Sequence, residues 1–322
     1  MNPNDFSTIT FPSLGLSWDP ARNISIGPLT IQFYGLIIAV GLLLAVIYAC
    51  KRSRQFGMTA DDLTDGVLWI VPLAIVCARL YYCIFSWEDY ASNPISILYI
   101  QQGGLAIYGG VIGAAIGIVI FALAKKIKIG AVLDITSLGF LIGQSIGRWG
   151  NFFNREAFGA VTDSFLRMGL TNKYTGAVTY YHPTFLYESL WNAFGFVLLH
   201  FLSKKRKYDG QIALGYLAWY GLGRTFIEGL RMDSLYWGNF RVSQMLAAIT
   251  CFIAVAILML MAFKTHDPEK LQISLFEAKL AALEAAAEAE EDEDEEGEEL
   301  HEDPEEDAEE EEASSQDETE EA

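Results

Sequence analysis

The feature that most constrains this chain is a series of apolar stretches, each long enough to cross a lipid bilayer as a helix. A hydrocarbon core of about 30 Å corresponds to roughly 20 helical residues. Because backbone polar groups in lipid must be hydrogen-bonded within their own segment, the pattern predicts an all-α integral membrane protein with seven transmembrane helices. The stretches cover about residues 30–50, 66–86, 104–123, 130–150, 185–202, 211–230 and 241–263.

The net charge of the chain conceals two regions of opposite sign. The formal charge is −19, yet 52% of the residues are hydrophobic. Residues 265–322 hold 27 of the 41 acidic residues and two of the 22 basic ones, so the first 264 residues carry a net charge of +6. We therefore predict an external N-terminal segment over residues 1–29, a membrane domain over 30–264 and an acidic tail over 265–322.

The acidic tail begins with leucines at helical spacing and then becomes almost entirely Asp and Glu. A run of like charge cannot bury apolar surface, so we expect the tail to be largely disordered. It is either a solvated appendage or a surface that docks a basic cytoplasmic partner.

Basic residues in short loops predict the orientation, because Lys and Arg are retained on the cytoplasmic side. Clusters of them follow the first, third and fifth predicted helices, so all three clusters lie on one face. Seven helices then place the N-terminus outside, the C-terminus in the cytoplasm and the long loop at about residues 158–183 outside. The clusters are Lys51, Arg52 and Arg54; Lys125, Lys126 and Lys128; and Lys204, Lys205, Arg206 and Lys207.

The four cysteines do not indicate a metal site. Cys50, Cys77, Cys83 and Cys251 lie inside apolar runs, without a CxxC pair or a histidine at ligand spacing. We interpret them as buried apolar side chains and expect no metal and no cofactor. The N-terminus lacks the pattern of a cleavable signal peptide, so we expect insertion to begin with the first predicted helix.

Ionisable and hydroxyl side chains collect near the outer ends of the predicted helices. Arg79, Arg148 and Arg224 lie in the outer thirds of the second, fourth and sixth helices, and Tyr34 and Tyr108 in those of the first and third. A charge within a bilayer is costly, so such residues are candidates for a functional site.

The predicted intramembrane arginines have two interpretations. They pair with Glu156, Glu188 and Glu228 in a purely structural ion network, or one or two of them bind a lipid phosphate. Every predicted intramembrane base is arginine, whose guanidinium suits bidentate phosphate binding, and this favours the second interpretation. Glycines at every fourth position predict close helix packing that positions the site: Gly109, Gly113 and Gly117, and Gly139, Gly143 and Gly147.

A long motif spans the end of the fourth predicted helix. Residues 147–159 read GRWGNFFNREAFG, which resembles the signature G-R-x-G-N-F-x-N-x-E-x-x-G of the bacterial prolipoprotein diacylglyceryl transferases, with every fixed position matched. The resemblance covers about residues 25–262 and excludes the acidic tail. Further segments are similar to that family in the same order: FYGL, ARLYY, GGLAIYGG, HPTFLYE and YGLGRTFIEGLR.

The resemblance implies an enzyme of the bacterial cytoplasmic membrane. Members transfer the diacylglyceryl group of phosphatidylglycerol to the lipobox cysteine of a prolipoprotein, forming a thioether, releasing glycerol 1-phosphate and beginning lipoprotein maturation. We therefore expect phosphatidylglycerol, membrane lipid and the prolipoprotein signal peptide as partners, and no nucleic acid. The absence of a G-x-S-x-G elbow agrees with a reaction without an acyl intermediate.

The resemblance also implies the residues that act. Many members carry a histidine, a candidate base, where this chain has Tyr108; a phenol is a poor base at neutral pH, so we expect Tyr108 to donate a hydrogen bond. Glu156 either accepts the thiol proton or anchors Arg224. The implied catalytic residues are Arg148, Arg224, Glu156, Asn151 and Tyr108, and the implied substrate-binding residues are Arg148, Tyr34, Arg79, Tyr220, Asn154, Gly159 and Glu228.

Two other classes of function stay open on the sequence alone. A transporter is also a helical bundle with intramembrane charges, but transporters usually contain internal repeats, and none is evident here. A scaffold acting through the acidic tail is the other class. Deleting the residues after Lys264 separates these classes, because a scaffold loses its function and an enzyme keeps it.

Overall fold

The computed structural model describes residues 5–27, 29–100, 103–232, 236–238 and 240–299. These residues are mostly helical. The helices are α1 (Phe33–Arg52), α2 (Ala60–Phe85), α3 (Trp87–Tyr90), α4 (Ile107–Lys125), α5 (Ile129–Asn154), α6 (Thr184–Ser203), α7 (Gln211–Glu228), α8 (Val242–Ala262) and α9 (Gln272–Glu299).

Six of these helices, α1, α2, α4, α5, α6 and α8, are long and apolar enough to cross a membrane. The chain is therefore a multi-pass membrane protein, as the sequence predicts. The sixth predicted span forms α7, which is not among the six because Gln211, Arg224 and Glu228 lower the apolar content of its 18 residues. Seven spans and the orientation of the termini stay predictions.

The glycine spacing on α4 is confirmed as a packing seam. Gly113 is buried against α2, where an added Cβ would lie 2.6 Å from Cys77 Cβ, and Gly109 is equally close to Tyr81. On α5, a Cβ added at Gly139 would lie 3.6 Å from Ala45 Cβ of α1, whereas a Cβ added at Gly143 or Gly147 would meet nothing within 4 Å. The packing role predicted for Gly143 and Gly147 is thus not supported by this measure.

A four-stranded antiparallel sheet covers one end of the helices, here named the sheet end. The loop predicted at residues 158–183 supplies two of its strands and the N-terminal segment supplies the other two, in the order β2-β1-β5-β6. Phe6, Ile9 and Leu170 of this sheet pack on Phe152 at the end of α5. The strands are β1 (Phe6–Phe11), β2 (Leu16–Trp18), β5 (Met168–Asn172) and β6 (Val178–Tyr181); hairpins β3 (Asn23–Ile26)–β4 (Leu29–Gln32) and β7 (Tyr236–Trp237)–β8 (Phe240–Arg241) precede α1 and α8.

At the opposite end, the chain after α8 is tied to the helix bundle by Gln272. Its backbone N–H donates to Asp209 Oδ2 at 2.8 Å, and its side-chain oxygen accepts from the Lys128 N–H at 3.0 Å. Gly57 has a φ of +72°, and a Cβ there would lie 2.5 Å from the Gln272 carbonyl oxygen. Contacts accordingly divide the chain after Ser274 and not after residue 264.

The second unit, residues 275–322, begins within α9. Residues 272–299, part of the tail for which we predict disorder, are helical, because Ala, Leu and Glu are strong helix formers. Residues 300–322 lie outside the described residues, so the prediction of disorder stays a prediction there.

Candidate active site

A buried carboxylate, Glu188, lies at the centre of an arginine cluster at the sheet end. Glu188 is in the second turn of α6, and its side chain is 5% exposed. Its Oε2 lies 2.6 Å from Nε of Arg148 on α5, and its Oε1 lies 2.6 Å from Nη1 of Arg224 on α7. Arg231 Nη1 lies 3.7 Å from the same Oε1. One carboxylate therefore joins three segments of the chain.

A second buried carboxylate, Glu228, shares two of these arginines. It follows Arg224 by one turn of α7, and its Oε2 lies 2.6 Å from Arg224 Nη2 and 3.9 Å from Arg231 Nε. The described contacts thus join three guanidinium groups to two carboxylates. Guanidinium groups gathered in a partly buried site favour an anionic ligand.

Arg148 is the most accessible member of this arginine cluster. Its side chain is 22% exposed, and among the described residues it contacts a carboxylate only through Nε. Its two terminal nitrogens, Nη1 and Nη2, have no partner in the described part of the chain. These are the atoms with which arginine holds phosphate in a bidentate manner.

Glu156 is held by two asparagines of the motif. Asn151 Nδ2 and Asn154 Nδ2 donate to Glu156 Oε1 at 3.1 and 3.2 Å. The chain turns back here because Arg155 and Ala157 adopt left-handed conformations, with φ of 57° and 55°. Glu156 therefore does not anchor Arg224, which pairs with Glu188 and Glu228 instead.

Arg155, which no sequence pattern singles out, fixes this turn to the sheet. It is buried and donates to the carbonyls of Ser7 and Pro20 and, at 2.6 Å, to Asp19 Oδ1. Burial lowers its pKa, and the Asp19 carboxylate acts in the opposite direction. No spacing rule distinguishes such an arginine from an exposed one.

Tyr34 and Tyr220 border the arginine cluster from two helices. The ring of Tyr34, in the first turn of α1, lies against Gly150, where an added Cβ would be 2.6 Å from Tyr34 Cδ2, and the charges acting on its hydroxyl are Glu156 and Arg148. Tyr220 precedes Arg224 by one turn and lines a small space with Glu188 and Arg224. Its ring stacks on Tyr216 at 5.7 Å.

Gly159 joins the motif to two other segments. Its N–H donates to the His182 carbonyl at 2.9 Å, and it forms a β-bridge with Arg231. An added Cβ would lie 2.7 Å from His182 Cβ and 2.9 Å from the Leu230 carbonyl. Gly159 thus positions Arg231 and α6.

Arg79 differs from the substrate-binding arginine that the resemblance implies. It is buried, and its five N–H donors are all within hydrogen-bond distance of backbone carbonyls, so none is left for a lipid phosphate. It contacts Ile97 from Nε (2.8 Å), Gly103 and Gly104 from Nη1 (2.6 and 2.9 Å), and Ser96 and Tyr99 from Nη2 (2.8 and 3.5 Å).

Tyr108 lies apart from these contacts. It is in the first turn of α4 and is 44% exposed. Its hydroxyl has no hydrogen-bond partner among the described residues. The structure thus does not join Tyr108 to the Glu156 group or to the arginine cluster by a direct bond.

Comparisons with known proteins agree with this arrangement. Residues 22–261 match the family model described as prolipoprotein diacylglyceryl transferase. Proteins named phosphatidylglycerol–prolipoprotein diacylglyceryl transferase are similar to it: that of Listeria monocytogenes serotype 4a is 40% identical over 78% of this chain and 92% of its own length. Those of Enterococcus faecalis and Bacillus cytotoxicus are each 44% identical, covering 70% and 77% of this chain and 85% and 93% of their own. The chain belongs to the prolipoprotein diacylglyceryl transferase family.

Proposed function

We propose that this protein transfers the diacylglyceryl group of phosphatidylglycerol to the lipobox cysteine of a prolipoprotein, the first step of lipoprotein maturation. The observation that carries the proposal is the arginine cluster, in which two terminal nitrogens of Arg148 are unpaired among the described residues. The names of the relatives include both substrates.

The reaction is a displacement at the carbon of the diacylated glycerol that is bonded through oxygen to the phosphate. The cysteine sulfur forms a bond to this carbon, the carbon–oxygen bond breaks, and glycerol 1-phosphate leaves with the electron pair. The leaving phosphate gains one negative charge, which arginines in a dry, fixed site stabilise. Arg148 and Arg224 bind this phosphate, and Glu188 and Glu228 hold the guanidinium groups in place.

The thiol proton passes to Glu156. Both asparagine amides donate to Oε1, and Oε2 has no partner among the described residues, so it is available as the acceptor. Asn151, Asn154 and Tyr34 orient this carboxylate and the lipid headgroup. Tyr220 borders the phosphate, and Gly159 positions Arg231 and α6. Tyr108 donates a hydrogen bond to the substrate.

The protein works in the bacterial cytoplasmic membrane with the sheet end outside. Basic clusters follow α1, α4 and α6 at the opposite end, which supports a cytoplasmic position for that end. We propose that α7 completes seven spans, since it packs between α5, α6 and α8 and carries Arg224 into the bundle. A lipobox cysteine, which follows an apolar signal segment, then meets the cluster at the outer leaflet.

The test combines purified protein in detergent with phosphatidylglycerol and a lipobox peptide. Mass spectrometry follows the gain of one diacylglyceryl group on the peptide cysteine. We expect product from the native chain and from Arg167→Ala, a control arginine at the sheet end outside the cluster. We expect none from Arg148→Ala. Folded native protein that yields no thioether would refute the proposal and favour transport.

A further inference from the structure

Asn192 is a buried polar residue that the proposed mechanism does not use. It lies on α6 one turn after Glu188 and is 1% exposed. Its Nδ2 atom has no hydrogen-bond partner among the described residues. An amide donor without an acceptor is costly in a protein interior, and such an exception in a native structure calls for a reason.

A possible acceptor for this amide, the Glu188 carboxylate, lies four residues earlier on the same helix. Glu188 Oε2 is buried and receives no hydrogen bond of normal geometry, although Arg148 Nε lies 2.6 Å from it. Residues four apart share one face of a helix. Asn192 and Glu188 also line the same small space beside Arg224 and Tyr220. An unmatched donor and an unmatched acceptor therefore face one site.

We propose that Asn192 is a positioning residue that donates to Glu188 Oε2 when the lipid phosphate binds Arg148. The inference rests on the proposed function, in which Arg148 holds the phosphate through Nη1 and Nη2 while its Nε still faces Glu188. A phosphate on the same guanidinium shares its positive charge and so weakens its contact with the buried Glu188 carboxylate. The Asn192 amide then donates to that carboxylate, which offsets the loss, and the lipid binds more tightly.

Leucine at position 192 separates this role from a structural one. Asn192→Leu keeps the approximate volume and removes a donor that is unpaired without ligand, so the unfolding temperature should stay the same or rise. We expect the KM for phosphatidylglycerol to rise about tenfold, the effect of about 1.4 kcal/mol, with kcat changed less than twofold. Thr136→Val is the control, because its hydroxyl bonds only within α5, and it should leave KM unchanged.

Coupling to Glu188 provides the second measurement. In a Glu188→Gln background, Asn192→Leu should change KM less than twofold, because the carboxylate that needs the donor is gone. An unchanged KM in Asn192→Leu, or a full shift that persists in the Glu188→Gln background, would overturn the inference.

Lipid binding distinguishes failure of this inference from failure of the proposed function. Phosphatidylglycerol titrated into mixed micelles is monitored by tryptophan fluorescence, without peptide. If the native chain forms no thioether but binds this lipid, the proposed function fails, and Asn192→Leu must still weaken binding about tenfold. Equal binding by native chain and variant contradicts the role of Asn192 whatever the activity.

Discussion

Arg79 on α2 and Arg148 on α5 occupy equivalent positions in their helices, yet the structure gives them opposite surroundings. Arg79 directs all five donors to carbonyls of the segment before α4. Arg148 contacts one carboxylate through Nε and keeps two terminal nitrogens without partners in the described residues. An intramembrane arginine is thus a candidate for a functional site. Whether its role is structural or ligand-binding depends on how many of its N–H donors the protein leaves unpaired.

The largest effect is expected for Arg148→Ala. Loss of a guanidinium that stabilises the developing phosphate charge should lower kcat/KM about a thousandfold. The unfolding temperature should fall less than in Glu188→Gln, because the buried Glu188 keeps its contacts with Arg224 and Arg231. Peptide lipidation and thermal unfolding measured on the same sample test both statements. A loss of activity that merely follows unfolding would remove the distinction between the two arginines.

Glu188→Gln should follow with about a hundredfold loss of kcat/KM. The neutral amide no longer fixes Arg148 and Arg224, which then lose the geometry for phosphate binding. Removing one partner of a buried ion pair also destabilises, by about 3 kcal/mol. Kinetics and denaturant unfolding separate the two effects. Activity retained at full level would show that Glu188 is a structural partner alone.

Arg79→Ala should have the reverse pattern. Several buried carbonyls lose their donors, so we expect a destabilisation of about 3 kcal/mol. The kcat/KM of the folded fraction should stay within about fivefold of native, an effect of about 1 kcal/mol on the barrier, because Arg79 has no donor left for the phosphate. A stable Arg79→Ala protein without activity would place Arg79 in the phosphate site after all.

Gly104→Ala sharpens the same contrast by a smaller amount. Gly104 has a φ of +77°, and an added Cβ would collide with Arg79 Nη1. The strain and the displaced guanidinium should cost about 2 kcal/mol. Gly103→Ala is the matched control, since it also has positive φ but has open space around its Cβ. Equal unfolding free energies for the two variants would argue against the Arg79 contact.

Truncation of the tail should have the smallest effect on activity. A chain ending at Ser274 keeps Gln272 and its bonds to Lys128 and Asp209, so we expect native activity and stability. A chain ending at Lys264 loses them and should be less stable by about 1–3 kcal/mol. Truncation after Lys264 therefore does not distinguish a scaffold from an enzyme, because it also lowers stability. Truncation after Ser274 does distinguish them. Loss of activity at Ser274 would give the tail a part in catalysis.

Much of the helical scaffold follows from the sequence because hydrophobic length is a local property. The positions of six helices and the α4 glycine seam could be predicted in this way. The sheet could not, because β1 and β5 lie more than 150 residues apart in the chain, and such pairing leaves no local periodic signal that identifies the partner.

The sequence predicts candidate site residues but not the partners of each side chain. The motif places Arg148 and Asn151 about one turn apart on α5, and Glu156 just after the end of that helix. Which carboxylate holds which arginine depends on how α5, α6 and α7 pack, and so the central position of Glu188 and the saturation of Arg79 emerge only from the three-dimensional structure. Asn192 carries no motif at all, because an unpaired buried donor is a property of its surroundings.

The most direct test of the central claim is the contact between arginine nitrogen and lipid phosphorus. Magic-angle-spinning NMR on protein labelled with ¹⁵N-arginine in phosphatidylglycerol bilayers reports this contact as dephasing of the ³¹P signal by ¹⁵Nη. We expect native dephasing in Arg79→Lys and clearly weaker dephasing in Arg148→Lys, where Arg224 alone still contacts the phosphate. Dephasing that stays at the native level in Arg148→Lys and falls in Arg79→Lys would contradict the assignment of the phosphate site.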